Sequence, residues 1–183
     1  SFGISLYPDD GMSFENLLKN AETALREAKH EGKNAIKFFS EKMNEKAIRW
    51  FLLGNQLNGA IQNNELRLYY QIQVDSKTEE VIGVEALVRW QHPEFGLLTP
   101  DEFIPFAEVS GLIIPLGYWV IESVFKQASE HCKKGYKCIK YSINLSAKQL
   151  EDNDLINRIG ELLRKYELDS RIFVFEITES NAM

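Results

Sequence analysis

Three segments of the sequence each place one oxygen-bearing side chain near the C-terminal half of a predicted strand. The side chains are Glu85, Asn144 and Glu176. Two carboxylates and a carboxamide, without a thiolate or an imidazole, are hard oxygen ligands of the kind that bind Mg²⁺, Mn²⁺ or Ca²⁺. The pattern therefore predicts a divalent-metal site. It fits about equally well a Glu85 that pairs with an interior cation while the other two side chains cap a loop or a helix.

Other side chains near these strands could contact a ligand. Arg89 shares a strand face with Glu85 and could hold a phosphate through two parallel hydrogen bonds, or could form a salt bridge with Glu85 or Glu94. Gln71 lies on the polar face of its strand, where it would meet either a ligand or solvent. His92 follows a strand end and could be a general base or an ordinary loop residue. The residue types alone leave these alternatives open.

Strands alternate with helices from residue 65 onward, which favours a mostly parallel α/β sheet or barrel. In such folds the C-terminal ends of the strands build the active site, so the three oxygen-bearing side chains are expected at one edge. The short polar link 75–80 predicts that the first two strands pair antiparallel. The predicted strands are 66–74, 81–90, 139–145 and 172–179, and helices are predicted from Thr99, over 115–131 and over 153–166.

The first part of the chain has a different pattern. Residues 1–40 predict strand, turn, helix and strand, with Gly32 ending the helix. An amphipathic helix then extends to about residue 64 and carries no residues typical of a catalytic site. We interpret it as a linker between two modules.

Composition limits the kinds of partner. The chain has 183 residues with 21 Lys and Arg against 27 Asp and Glu, a net charge of -6, which argues against bulk nucleic-acid binding. No stretch approaches the roughly 18 apolar residues of a membrane span, and no leader pattern opens the chain, so no membrane contact by this piece and a cytoplasmic location are expected. Tethering of a longer parent protein to the inner membrane is left open. Cys132 and Cys138 are too few for a disulfide scaffold and are interpreted as structural.

The two ends of the chain suggest a fragment. The sequence opens directly in a strand-like run and closes a few residues after a strand that is apolar on both faces. Such a strand would aggregate as a terminal edge, so we expect self-association, for example as a homodimer.

One stretch is specific enough to point to a family. Glu85 to Pro93 reads EALVRWQHP, and the segment from Gly96 to Glu108 reads GLLTPDEFIPFAE. This stretch resembles the EAL domain of bacterial cyclic di-GMP phosphodiesterases, and the match runs from about Leu66 to the last residue. Further matching motifs are Tyr70-Gln71, Pro115-Leu116-Gly117, Asn144-Leu145-Ser146 and Glu176-Ile177-Thr178-Glu179-Ser180.

The opening residues resemble the end of a GGDEF diguanylate cyclase domain. The matching motifs are Gly3-Ile4-Ser5, Tyr7-Pro8, Leu17-Leu18, Ala24-Leu25, Ala28-Lys29 and Gly32-Lys33-Asn34. The sequence departs from that family at Glu22, Arg26 and Lys33, where Asp, Tyr and Arg are usual. The two resemblances imply a GGDEF tail over residues 1–41, a helical linker over 42–64 and the N-terminal part of an EAL domain over 65–183.

The EAL resemblance implies an α/β fold, a partial modified TIM barrel that follows the α+β GGDEF tail. It implies hydrolysis of cyclic di-GMP to linear pGpG with Mg²⁺ or Mn²⁺ by a parent protein. The metal ligands would be Glu85, Asn144 and Glu176, and Gln71 and Arg89 would bind the substrate. Glu179 would hold a loop near the site. The resemblance implies that Glu85 and Glu179 are the catalytic residues.

Two points qualify this implied activity. Ile72 stands where the family commonly has Pro, a change that removes no ligand. A whole barrel needs about 250 residues, so we expect this chain alone to be inactive. The alternative function is a degenerate GGDEF-EAL protein that binds cyclic di-GMP or a partner without hydrolysis.

Overall fold

The computed structural model describes residues 1–30, 34–136 and 138–177. The chain forms two compact units, Ser1–Asn55 and Gln56–Met183. The helix stop predicted at Gly32 and the predicted catalytic residue Glu179 lie outside the described residues.

The first unit has the predicted strand, helix and strand. They are β1 (Phe2–Ile4), α1 (Phe14–His30) and β2 (Ile36–Phe38), and β1 pairs with β2 in parallel. A side chain at Gly3 would overlap the backbone of α1, so the helix lies directly on the strand. The next helix, α2 (Glu41–Gln62), contains the division between the two units.

A five-stranded sheet forms the centre of the second unit. Its strands are β3 (Leu66–Val74), β4 (Val81–His92), β5 (Gly96–Leu98), β6 (Lys140–Leu145) and β7 (Phe173–Ile177). The order is β3-β4-β6-β7, with β5 paired to β4. The predicted antiparallel pairing of β3 with β4 and the predicted parallel pairing of β4, β6 and β7 are confirmed. β5 was not predicted, because three residues are too few to show an alternating pattern.

Helices connect the parallel strands. They are α3 (Pro100–Ser110), α4 (Ile113–Lys133), α5 (Ala147–Leu150) and α6 (Leu155–Tyr166), with a 3₁₀ turn at Ser170–Ile172. The predicted start of α3 is confirmed, since a carboxylate oxygen of Glu102 accepts the backbone N–H of Thr99 at 2.9 Å. The short α5 was not predicted. No helix in the described part of the chain combines the length and the apolar character that a membrane span requires.

One face of the sheet packs against α4 and forms the hydrophobic core. The buried strand residues of this core are Val84, Ala86, Tyr141, Ile143 and Leu145, and the buried α4 residues are Val120, Ile121, Val124, Phe125 and Ala128. The rings of Phe125 and Phe173 stack with centroids 4.0 Å apart. Because strand side chains alternate between faces, this packing leaves the intervening residues on the opposite face. We call that opposite face the site face; among its residues are Gln71, Glu85, Asn144 and Glu176.

We expect the protein to lose stability in alkaline solution because Tyr70 is partly buried in the core. Burial, with a smaller contribution from nearby Tyr141, raises the pKa of Tyr70 to about 12. The unfolded chain releases this proton near pH 10, so the contribution of Tyr70 to stability is complete below pH 10 and is lost as the pH rises through about 12. Because the ring is half-buried, we expect this group to lower the free energy of unfolding by about 1 kcal/mol over that range. Urea unfolding at pH 9 and pH 11.5 checks this value, and Tyr70→Phe should show a smaller fall; an equal fall in both proteins would contradict it.

Candidate functional site

Strand register brings the predicted site residues to neighbouring positions. Gln71 of β3 lies opposite Glu85 of β4, and Asn144 of β6 lies beside Glu176 of β7. Glu85 itself is in register with Ser142, two residues before Asn144 on the same face. Opposite or neighbouring side chains on one sheet face lie within about 5 Å at their Cβ atoms. The sheet therefore assembles a row of oxygen-bearing side chains from four strands.

Glu85 and Asn144 are in direct contact. The side-chain nitrogen of Asn144 donates a hydrogen bond of 2.6 Å to Oε1 of Glu85. Both side chains are half-buried, which strengthens the bond relative to one in bulk water. A neutral amide satisfies one carboxylate oxygen without supplying a positive charge. This contact therefore brings no cation to the Glu85 carboxylate.

Arg89 does not neutralise that charge. Its guanidinium donates to the backbone carbonyl of Val88 at 3.1 Å and lies over the ring of Tyr69, 5.8 Å from the ring centroid. In the described part of the chain it forms no salt bridge with Glu85 or Glu94, so the salt-bridge alternative for Arg89 is not observed. The guanidinium is half-buried and retains donors for an anionic ligand.

A cavity of about 510 Å³ adjoins Glu85 and Asn144. Its other walls are largely apolar and come from α3 and α4, which include Ile104, Pro105, Leu116 and Val120. Because α4 packs on the core face, this cavity lies on the helix side of the sheet and not on the site face. Gln71, Arg89 and Glu176 are not among the residues that line it.

Ser146 lines the same cavity and was not among the predicted site residues. Its hydroxyl oxygen is buried at the N-cap of α5, where Ser146 and Gln149 form a capping box. The Asn144-Leu145-Ser146 motif was the only sequence signal that included this residue.

A side-chain hydrogen bond also crosses the site face, and it was not predicted from the sequence. The side-chain nitrogen of Gln73 donates to the hydroxyl of Ser142 at 3.4 Å, from β3 to β6. The strand between them has Gly83 at this level, and a Cβ there would lie 3.0 Å from the Gln73 side-chain oxygen. A glycine inside a predicted strand can indicate that another segment approaches the backbone closely. Gly83 was therefore the sequence feature that could have predicted this contact.

Close packing against Gly117 shapes one wall of the cavity. A Cβ on Gly117 would overlap the side-chain amide of Gln149, which is buried and accepts the backbone N–H of Ser146 at 2.9 Å. We expect Gly117→Ala to lower the free energy of unfolding by about 1–3 kcal/mol, because the amide must move and give up its hydrogen bond. Urea denaturation followed by circular dichroism measures the change.

Gly160 provides the matched control for this substitution. It also lies inside a helix, and a Cβ there would come no closer than 3.7 Å, to the Arg164 guanidinium. Gly160→Ala should be neutral or stabilise by up to about 1 kcal/mol through helix propensity. Equal effects of the two substitutions would contradict the packing argument.

His92 is a buried structural residue, so of its two alternatives the general base is not supported. The side chain is 1% exposed. Its Nδ1 accepts the backbone N–H groups of Glu94 and Phe95 at 3.1 and 3.2 Å, and its Nε2 is hydrogen-bonded to the side-chain oxygen of Gln56. Both ring nitrogens are occupied, by the turn after β4 and by α2, so the imidazole holds this turn in place.

The donor set partly fits a hard divalent cation. In residues 1–30, 34–136 and 138–177 no three His, Cys, Asp or Glu side chains cluster at metal-binding distance. Glu85 and Asn144 are nonetheless in contact, and Glu176 occupies the register position beside Asn144. Two carboxylates and an amide oxygen are suitable ligands for Mg²⁺ or Mn²⁺, although they supply only part of a six-coordinate shell.

Comparisons with known proteins agree on one family. The EAL domain model matches residues 54–183. The chain is 38% identical over 183 residues to the bifunctional diguanylate cyclase/cyclic di-GMP phosphodiesterase MucR of Pseudomonas aeruginosa, covering 100% of this chain and 27% of that protein. It is 36% identical over 180 residues to the cyclic di-GMP phosphodiesterase PdeR of Escherichia coli, covering 98% of this chain and 27% of that protein. The chain thus spans about a quarter of these relatives.

Solved structures agree with this match. The phosphodiesterase PaMucR in complex with c-di-GMP superimposes with a TM-score of 0.68 at 36% identity, over 72% of this chain and 53% of that chain. The FimX EAL domain of Pseudomonas aeruginosa bound to c-di-GMP superimposes with a TM-score of 0.63 at 28% identity, over 71% of this chain and 51% of that chain.

Proposed function

This chain belongs to the EAL domain family, and we propose that the protein containing it hydrolyses cyclic di-GMP to linear pGpG in bacterial second-messenger signalling. The observation that carries this proposal is the 2.6 Å contact between Glu85 and Asn144, with Glu176 in register beside them. The relatives named as cyclic di-GMP phosphodiesterases support the substrate.

The residues of the site face have distinct proposed roles. Glu85, Asn144 and Glu176 would hold Mg²⁺ or Mn²⁺. Such an ion, when bound, polarises a phosphoryl oxygen and lowers the pKa of a coordinated water. In the described part of the chain the one partner of the Glu85 side chain is the neutral amide of Asn144, so no cationic side chain competes with the ion there.

Substrate binding is proposed for Gln71 and Arg89. Gln71 is exposed on the site face directly opposite Glu85, where an amide can hydrogen-bond a nucleotide. Arg89 offers paired N–H donors that match the oxygens of a phosphodiester. Glu179, which lies outside the described residues, is proposed to hold a loop beside the site.

We also propose the domain organisation implied by the resemblance: a GGDEF tail over residues 1–41, a helical linker over 42–64 and the N-terminal part of an EAL barrel over 65–183. The parallel β1–α1–β2 unit and the parallel strands β4, β6 and β7 with intervening helices support it. Since β7 has one partner strand in the described part of the chain, self-association through this edge is proposed as well. Light scattering that gives a monomer mass would exclude it.

The test compares the 183-residue chain with the longer natural protein that contains it. Each is incubated with cyclic di-GMP and Mg²⁺ or Mn²⁺, pGpG is followed by chromatography, and binding of cyclic di-GMP is measured by calorimetry. We expect turnover by the longer protein and none by the chain alone. Binding without turnover by the longer protein would favour the non-catalytic alternative. Neither binding nor turnover would overturn the proposal.

A further inference from the structure

Two free thiols face each other at the junction of α4 and β6. Cys132 lies in the last turn of α4, and Cys138 lies two residues before β6 begins. Their sulfur atoms are 3.0 Å apart. Thiols at this distance are in direct contact, so a bond between them requires only a small movement of the side chains.

The two thiols differ in access to solvent. Cys138 is exposed, whereas Cys132 is half-buried. The hydrogen bond with Cys138, together with burial, raises the pKa of the Cys132 thiol. An external oxidant would therefore react first at Cys138, and Cys132 would be the second, resolving thiol.

We propose that Cys132 and Cys138 form a redox modification site that closes to an intramolecular disulfide by exchange with a small-molecule disulfide such as oxidised glutathione. The Cys138 thiolate attacks one sulfur of the oxidant, forms a mixed disulfide and releases one glutathione thiolate. The Cys132 thiolate then attacks the Cys138 sulfur and releases the second. The protein loses two electrons and two protons, and one oxidised glutathione becomes two reduced molecules.

The position of the pair indicates what the bond would do. It joins the C-terminal end of α4 to the N-terminal side of β6, where the Tyr141 hydroxyl also contacts Nδ1 of His131 at 3.2 Å. Asn144 lies toward the opposite end of the same strand. The disulfide should therefore restrain this junction and stabilise the sheet while the site face keeps its arrangement.

The experiment treats the purified chain with oxidised glutathione, and separately with reduced glutathione. After oxidation we expect both thiols to be lost to thiol titration and the intact mass to fall by two hydrogens, without bound glutathione. The protein should migrate as a single chain on a non-reducing denaturing gel. The melting temperature should rise by about 3–8 °C and return after reduction.

Single substitutions separate the two steps. Cys132→Ser should stop at a stable glutathione adduct on Cys138, and Cys138→Ser should react far more slowly because the remaining thiol is half-buried. The double substitution should show no change in melting temperature on oxidation. Persistent free thiols, a disulfide between two chains, or a stable glutathione adduct on the unsubstituted protein would each overturn the proposal.

Discussion

Glu85→Gln is expected to lower kcat for the proposed hydrolysis of cyclic di-GMP by the protein that contains this chain at least about 1,000-fold. The substitution keeps the shape of the side chain and leaves an oxygen that can still accept the 2.6 Å hydrogen bond from Asn144. It removes the negative charge that would hold a divalent cation in the partly buried site, and a neutral amide is a much poorer ligand. The loss should therefore come from the chemical step, with the fold retained.

The measurement is pGpG formation at saturating Mg²⁺, accompanied by circular dichroism and by calorimetry of Mg²⁺ binding. Glu161→Gln is the matched control, because it removes one exposed carboxylate from α6 and this residue does not line the cavity. It should leave kcat within about twofold. A Glu85→Gln protein that retains more than a tenth of the kcat would show that this carboxylate is not essential.

His92→Ala is expected to destabilise the second unit by about 3 kcal/mol. The substitution removes the acceptor of two backbone N–H groups and the partner of the Gln56 side chain. It also leaves a void beside the rings of Trp90 and Phe95, whose centroids lie 4.9 and 4.7 Å from the imidazole. Loss of buried hydrogen bonds and of packing act in the same direction, which makes the effect large.

Urea unfolding at pH 7 measures this change, and His131→Ala is the control. His131 is half-buried, and its side chain has one hydrogen bond in the described part of the chain, to Tyr141, so its replacement should cost about 1 kcal/mol. The pH dependence of hydrolysis by the longer protein distinguishes a structural role of His92 from a catalytic one. If His92 were a general base, its loss would flatten the rate profile between pH 5 and 8 while stability stayed unchanged, and that result would contradict its structural role.

Local patterns in the sequence were sufficient to predict most helices and strands of the second unit and the strand faces. The alternation in β4 placed Glu85 and Arg89 on one face, and the apolar alternation of β6 placed Asn144 on the other side from the core. The polar link after β3 predicted its antiparallel pairing, and Thr99 with Glu102 predicted the start of α3. These features depend on neighbours within a few residues, because strand side chains alternate and helix ends need local hydrogen-bond partners.

The missed elements had too little local pattern. Neither β5 nor α5 is long enough to complete a periodic signal, and each exists because a neighbour stabilises it. β5 pairs with the end of β4, and the buried side chain of Gln149 in α5 packs against Gly117 of α4. Their existence depended on contacts with the rest of the unit.

Tertiary structure alone decided which side chains touch. Glu85 and Asn144 are 59 residues apart in sequence, and only the pairing of β4 with β6 brings them to 2.6 Å. The same dependence made His92 structural, since its partner Gln56 comes from α2, 36 residues earlier. The type of a residue and its strand face are encoded locally, whereas its partner depends on register and packing across the whole unit. The sequence therefore determined the family and the candidate ligands, and the fold decided that Glu85 meets an amide and that His92 is buried.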